Sequence, residues 1–304
     1  MSTPIPMSRA IRDTLDALLI DSPDVLLMGE AVGSQGGVAG TCDGLLAAHG
    51  PERVIETPLS ESGLLGVAAG LAMGGKIPVL ELPSAGRVQG ALEQLLGEIS
   101  TLARRTGGEF LAPLVLRLPC GPAGTLQEAG VAGLLTSAEG LAVASPSTAG
   151  DAAGLLRGAV AHRGPVVLLE PLTLYNHRGP VSGLPVPLGT AHTVRPGHHV
   201  TLLAWGAGVA TALAAAEAAA ADGFEAEVLD LRSLAPLDLG CIAESVRRTG
   251  RVLVVESGGP DRALADRLLR AATEAAFLYL ESPPALVTGG KDQVAHALVS
   301  SVTF

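Results

Sequence analysis

An α/β protein of two doubly wound domains is predicted by three observations. Short apolar runs alternate with helical patterns along the whole chain, a Pro- and Gly-rich break falls between Asn176 and Pro196, and 304 residues suit about two cores. The apolar runs lack polar alternation, as expected of parallel strands covered on both faces. Aromatic residues make up only 2% of the chain against 48% hydrophobic residues, so Ala, Val and Leu must build those cores.

Taken in order, Ile11, Leu15 and Leu18 mark one face of an opening helix that stops near Ser22-Pro23. Val25 to Met28 is a buried strand ending in Gly29-Glu30-Ala31-Val32-Gly33, followed by a Gly36-Gly37 loop and a short helix around Leu45. Val54-Ile55 is the next strand, and Gly63 to Met73 the next helix. Then come strand Ile77 to Leu82, helix Gln89 to Arg104 and strand Leu114 to Leu118. A loop from Pro119 to about Gly140 precedes strand Leu141 to Ala144, helix Ala149 to His162 and strand Val166 to Glu170.

The break that follows is too long for an ordinary αβ connection and reads as an interdomain linker. The expected division is a first domain over 1–178, a linker over 179–195 and a second domain over 196–304. The second domain repeats the alternation: strand Val200 to Ala204, helix Val209 to Ala221, strand Ala226 to Asp230 and helix Leu239 to Arg248. Strand Val252 to Glu256, helix Arg262 to Ala276, a strand near Ala285 to Val287 and helix Gln293 to Val299 complete it.

A formal charge of −10, with no basic stripe, argues against nucleic acid as the partner. Cys42, Cys120 and Cys241 lie far apart without metal-ligand spacing and read as free thiols in a reducing compartment. No secretory signal or membrane-length apolar helix is recognised, so a cytoplasmic setting is expected. Neither half carries a Walker loop, a zinc-protease motif or a nucleophile elbow.

The stretch Arg53 to Gly66 has the strongest chemical character. Pro58 fixes a turn, and Ser60 is placed to cap the helix behind it. Glu61 therefore starts a helix with apolar residues ahead and small residues behind. Such a setting favours a carboxyl that keeps its proton and can give it to a heterocycle nitrogen. A second role is open to it, since acids at helix starts also complement the helix dipole.

Several blocks in one order carry a resemblance: Gly29-Glu30-Ala31-Val32-Gly33, the run Thr57-Pro58-Leu59-Ser60-Glu61, Pro165 to Glu170, and Asp230 to Asp238. Together they resemble the β subunit of the pyruvate and branched-chain 2-oxo acid dehydrogenase decarboxylases, itself similar to the C-terminal part of transketolase. The resemblance implies a pyrimidine-binding transketolase-like domain followed by a transketolase C-terminal-like domain. It implies thiamine diphosphate as cofactor, with the pyrimidine end bound here and the magnesium ion and diphosphate held by an α subunit. It also implies two α and two β chains, and cleavage of a 2-oxo acid, or of a ketose, next to its carbonyl, with the acyl or hydroxyalkyl unit passed to a lipoyl or other carrier-bound acceptor.

By the same resemblance Glu61 pairs with the aminopyrimidine ring nitrogen, and Glu30 lies near that end of the cofactor. Glu30 can equally be a strand-end acid bonding loop amides. Leu59 and Leu82 line the pyrimidine pocket or belong to the core.

The departures from the family pattern fall on catalytic positions. The loop after Leu118 lacks the family histidine that assists acyl transfer; Glu128 stands in its place, as a proton-exchanging group or as a solvated loop acid. Pro83 to Val88 replaces an aromatic segment beside the pyrimidine, and Arg87 within it reads either as a partner for an anionic group or as a surface arginine. These losses leave open a catalytically degenerate β subunit, kept as a structural or regulatory partner of an α subunit. The helices Gly63 to Met73 and Gln89 to Arg104 carry small and apolar residues on more than one face, which is expected of helices that meet another chain.

Overall fold

In the computed structural model, which describes residues 3–121, 130–256 and 262–304, the elements follow the apolar runs. Two units divide the chain, the first from residues 3–121 and 135–188, the second from 130–134, 189–256 and 262–304.

The first unit opens with β1 (Ile5–Pro6), α1 (Met7–Asp21), β2 (Val25–Gly29), α2 (Leu45–His49), β3 (Val54–Glu56) and α3 (Glu61–Met73). It continues through β4 (Ile77–Glu81), α4 (Leu102–Arg105) and β5 (Val115–Cys120), and the boundary between the units falls within α5 (Val131–Thr136). Then follow β6 (Ala142–Ala144), α6 (Ala149–Val160), β7 (Val166–Pro171) and β8 (Arg178–Gly179). Six strands form a parallel array in the order β6-β7-β5-β4-β2-β3. Strand β2 is buried throughout, which is why it reads as an unbroken apolar run, while β5 is buried almost throughout and carries one charged residue, Arg117. Two helix ends show how polar groups hold the frame. Thr148 accepts from the Asp151 amide at 3.0 Å to start α6, and Arg53 donates to the carbonyls of Leu19 and Ser22 at 2.9 and 2.7 Å where α1 stops.

The second unit comprises β9 (His192–Arg195), β10 (Val200–Ala204), α7 (Gly208–Ala220), β11 (Ala226–Asp230), β12 (Ser233–Ala235), α8 (Leu239–Thr249) and β13 (Val252–Glu256). After them come α9 (Arg262–Ala276), β14 (Ala285–Thr288) and α10 (Lys291–Val302). Its sheet runs β14-β13-β10-β11-β9, parallel except for β9 at the edge. Leu202, Val228, Val255, Ala212, Ala216, Val294 and Leu298 fill one face of it, so small side chains bring helices close to the strands. Among the described residues no helix is long and apolar enough to cross a membrane.

Three local expectations are corrected. The single helix expected over Gln89 to Arg104 is a 3₁₀ run (Ala85–Ala91), a π-helical run (Glu93–Ile99) and the short α4. Gly86, Gly90 and Gly97 weaken the α-helical preference there, and Ser100 and Thr101 return their hydroxyls to the carbonyls of Leu96 and Gly97. The loop expected from Pro119 to Gly140 contains α5. Within the Pro- and Gly-rich break, β8 pairs with β1, and β9 adds an antiparallel edge to β11. Exposed edge strands carry little apolar signal, so sequence pattern misses them.

Candidate active site

The C-terminal ends of β2, β4, β5 and β7 converge in the first unit, where parallel sheets present their ligands' contacts. Beneath that edge lies a buried knot of charge. Arg117, fully buried on β5, grips Glu170 through two parallel contacts of 2.9 and 2.8 Å and reaches Glu81 at 2.7 Å with its remaining nitrogen. Burial opposes the charge of the guanidinium, and the Glu170 and Glu81 carboxylates more than offset that, leaving its pKa well above the usual value. The Tyr175 hydroxyl donates to Glu170 at 2.6 Å, and burial together with that carboxylate pushes its pKa up.

Glu81 carries the knot into the loop after β2. Its carboxylate accepts from the Val38 amide at 2.7 Å and from the Thr41 hydroxyl at 2.8 Å. Gly37 adopts φ of 69°, and a Cβ there would stand 2.6 Å from the Glu81 carboxylate, so this loop closes on the acid only because it has no side chain at that point. Cys42 lies beside them, its thiol pushed up to about 12, chiefly by burial and then by Glu81. A neutral buried thiol of this kind is packing, not a nucleophile.

Glu30, Thr57, Pro58, Leu59, Ser60, Glu61, Leu64, Leu82 and Pro83 line a shallow cleft that opens to solvent. The ends of β2, β3 and β4 and the start of α3 thus deliver four of the sequence-predicted residues, Glu30, Leu59, Glu61 and Leu82, to one place. Leu82 is buried and Leu59 exposed at the lip. Two polar atoms in this cleft, Glu30 Oε2 and Thr57 Oγ1, are buried and have no hydrogen-bond partner. Buried polar atoms left unpaired cost free energy, and their presence together points to a ligand with complementary donors and acceptors.

Glu61 is the first residue of α3, as its position after Ser60 implies, yet two details differ from expectation. Ser60 occupies the capping position without bonding a helix amide; its hydroxyl lies over Gly63, in the space a side chain there would fill. The neighbours of Glu61 are also not apolar alone, because Arg87 Nη1 lies 3.1 Å from its Oε1. Glu61 Oε2 faces Gly90, whose Cβ, were there one, would be 3.3 Å away. Arg87 thus stands as the counter-ion of Glu61 in this structure. Glu128 lies outside the described residues.

Sequence reasoning missed Thr57, Arg117 and Tyr175. The signal for Arg117 is a charge inside the apolar run Val115 to Leu118, since an arginine is almost never fully buried unless paired. Glu56, at the end of β3, was also passed over. It accepts from the amide and hydroxyl of Ser34 at 2.6 Å each, which lowers its pKa and pins the β2 loop from the other side.

A family model of the transketolase pyrimidine-binding domain matches residues 3–178, and one of the transketolase C-terminal domain matches 189–301. The solved structure of an inactive β4 tetramer of a split-gene transketolase covers 99% of this chain and 99% of its own with a TM-score of 0.80 at 24% identity, a likeness of fold. This class of protein is the two-domain transketolase-like fold. Within it, the chain is 38% identical to the pyruvate dehydrogenase E1 component subunit beta of Leifsonia xyli, covering 94% of this chain and 86% of that one. It is 36% identical to the 2-oxoisovalerate dehydrogenase subunit beta of Pseudomonas aeruginosa, covering 97% and 90%. The chain belongs to the E1 β-subunit family of 2-oxo acid dehydrogenases, thiamine diphosphate-dependent enzymes of transketolase-like fold.

Proposed function

We propose that this chain is the β half of a heteromeric decarboxylase that cleaves a 2-oxo acid next to its carbonyl and passes the acyl unit to a lipoyl or other carrier-bound acceptor. The observation that carries the reading is the cleft in which Glu61 stands with two unpaired buried polar atoms, Glu30 Oε2 and Thr57 Oγ1. An aminopyrimidine ring offers both donors and acceptors on its edge, and Leu59 and Leu82 offer its faces apolar contact.

In this reading Glu61 holds a proton against the ring nitrogen, and Glu30 and Thr57 orient the ring's polar edge. Bound thiamine diphosphate supplies the carbon nucleophile and electron sink for decarboxylation. An α subunit, two with two β chains, holds the magnesium ion and the diphosphate. Exposed Leu59, Val67 and Met73 on and before α3 support a partner at this face.

The test is to purify the chain with its genomically adjacent α subunit and follow decarboxylation of a panel of 2-oxo acids with an artificial electron acceptor. Turnover is expected, and Glu61→Gln is expected to lower it by about 100-fold or more, the usual scale for removing a positioned acid. A stable complex without turnover on any 2-oxo acid would sink the reading in favour of a structural partner.

A further inference from the structure

The ion pair at the mouth of the cleft has a consequence for cofactor loading. Arg87 comes from the 3₁₀ run after β4 and Glu61 from the start of α3, so the pair ties two elements across the cleft rim. Arg87 is 43% exposed and Glu61 15%, so the guanidinium can swing into water while the carboxyl stays in place. Glu61 Oε1 is occupied by this contact, and Oε2 looks toward the backbone at Gly90.

A carboxyl that holds a proton against a ring nitrogen has a specific electrostatic need. Whichever atom carries it, the shared proton adds one positive charge to the site. The guanidinium 3.1 Å from Oε1 already supplies one. Like charges at this range oppose each other, so the guanidinium must move away before a ring proton is shared at Oε1. The same contact neutralises Glu61 well in the empty chain, where the alternative is a half-buried acid beside a second acid, Glu30, in one cleft.

We propose that Arg87 is a counter-ion latch on Glu61: it holds the catalytic carboxylate while the cleft is empty and must be displaced when an aminopyrimidine ring binds. Arg87 is thus a residue that sets the affinity for the cofactor from outside its contacts. The inference rests on the reading of Glu61 as the ring's partner.

The test is calorimetric titration of thiamine diphosphate with magnesium into the purified αβ complex, comparing the wild type with Arg87→Met and Arg87→Gln. A partly exposed ion pair is worth up to about 1 kcal/mol, so each variant is expected to bind about two- to fivefold more tightly. The advantage is expected to narrow as salt is raised from 0.05 to about 0.5 M, because salt weakens the latch in the wild type alone while acting on the diphosphate in all three. Arg87→Lys keeps the charge and is expected to stay near the wild type. Unchanged or weaker binding in both neutral variants would overturn the latch while leaving the role of Glu61 standing. Absence of binding in every form would overturn both.

Discussion

Two arginine–glutamate contacts in the first unit differ in nearly every physical respect. Arg117 is fully buried, shares its charge between Glu170 and Glu81, and has both acids further satisfied by Tyr175, Thr41 and the Val38 amide. Arg87 is half in water and meets an acid that lines an open cleft. The buried assembly cannot open without stranding charges in an apolar sheet, whereas the rim pair can exchange with solvent at small cost. One is architecture that fixes the loop after β2; the other is an interaction that can be exchanged.

The largest expected effect comes from breaking the buried side. Arg117→Met leaves Glu170 and Glu81 without their cation and is expected to cost about 3–5 kcal/mol, read as a lowered urea midpoint or as aggregation on expression. Next is Tyr175→Phe, which keeps the ring and removes one donor to a charged acceptor. A loss of about 1.5–3 kcal/mol is expected in the same assay. A cluster of intermediate burial grades the comparison: Asp16 meets His49 Nε2 at 2.7 Å and Arg12 at 2.9 Å. The His49 contact first, then Arg12, lower its pKa against the opposing effect of burial. Because the folded value lies below the unfolded one, the stabilisation is complete above about pH 4 and is lost as pH falls through the lowered folded value. Asp16→Asn is therefore expected to cost about 0.5–1 kcal/mol at pH 7 and much less at pH 3, checked by urea melts at both. Smallest is Arg87→Met, expected to shift stability by less than about 0.5 kcal/mol. A stability loss there as large as for Tyr175→Phe would erase the distinction between the two arginines.

Most strands were legible because burial on both faces leaves a nearly continuous apolar run, as in Val25–Gly29 and Val252–Val255, where residue type alone marks the element. Glu61 was legible for a different reason, as part of a motif whose Pro58 and Ser60 set a helix boundary. What surrounds Glu61 was not. The partners of Arg117 lie 36 and 53 residues away, and only the strand order β7-β5-β4 brings them together. The Arg87 contact likewise comes from a 3₁₀ run over Ala85–Ala91, where the pattern indicated an α-helix beginning only at Gln89. The strand β9 was missed because its residues are exposed or half-buried, which removes the apolar signature.

Gly90 matters beyond local packing. With a Cβ at that position 3.3 Å from Glu61 Oε2, a single added methyl would make the carboxyl give way by a few tenths of an ångström. An acid in the role proposed for Glu61 tolerates about half an ångström of displacement, so the smallest possible mutation at residue 90 spends much of that tolerance. In a mutational scan of the assembled enzyme, position 90 should therefore separate fitness for turnover from fitness for folding. Drift at a site with no side chain of its own would act as a fine adjustment on the acid it faces.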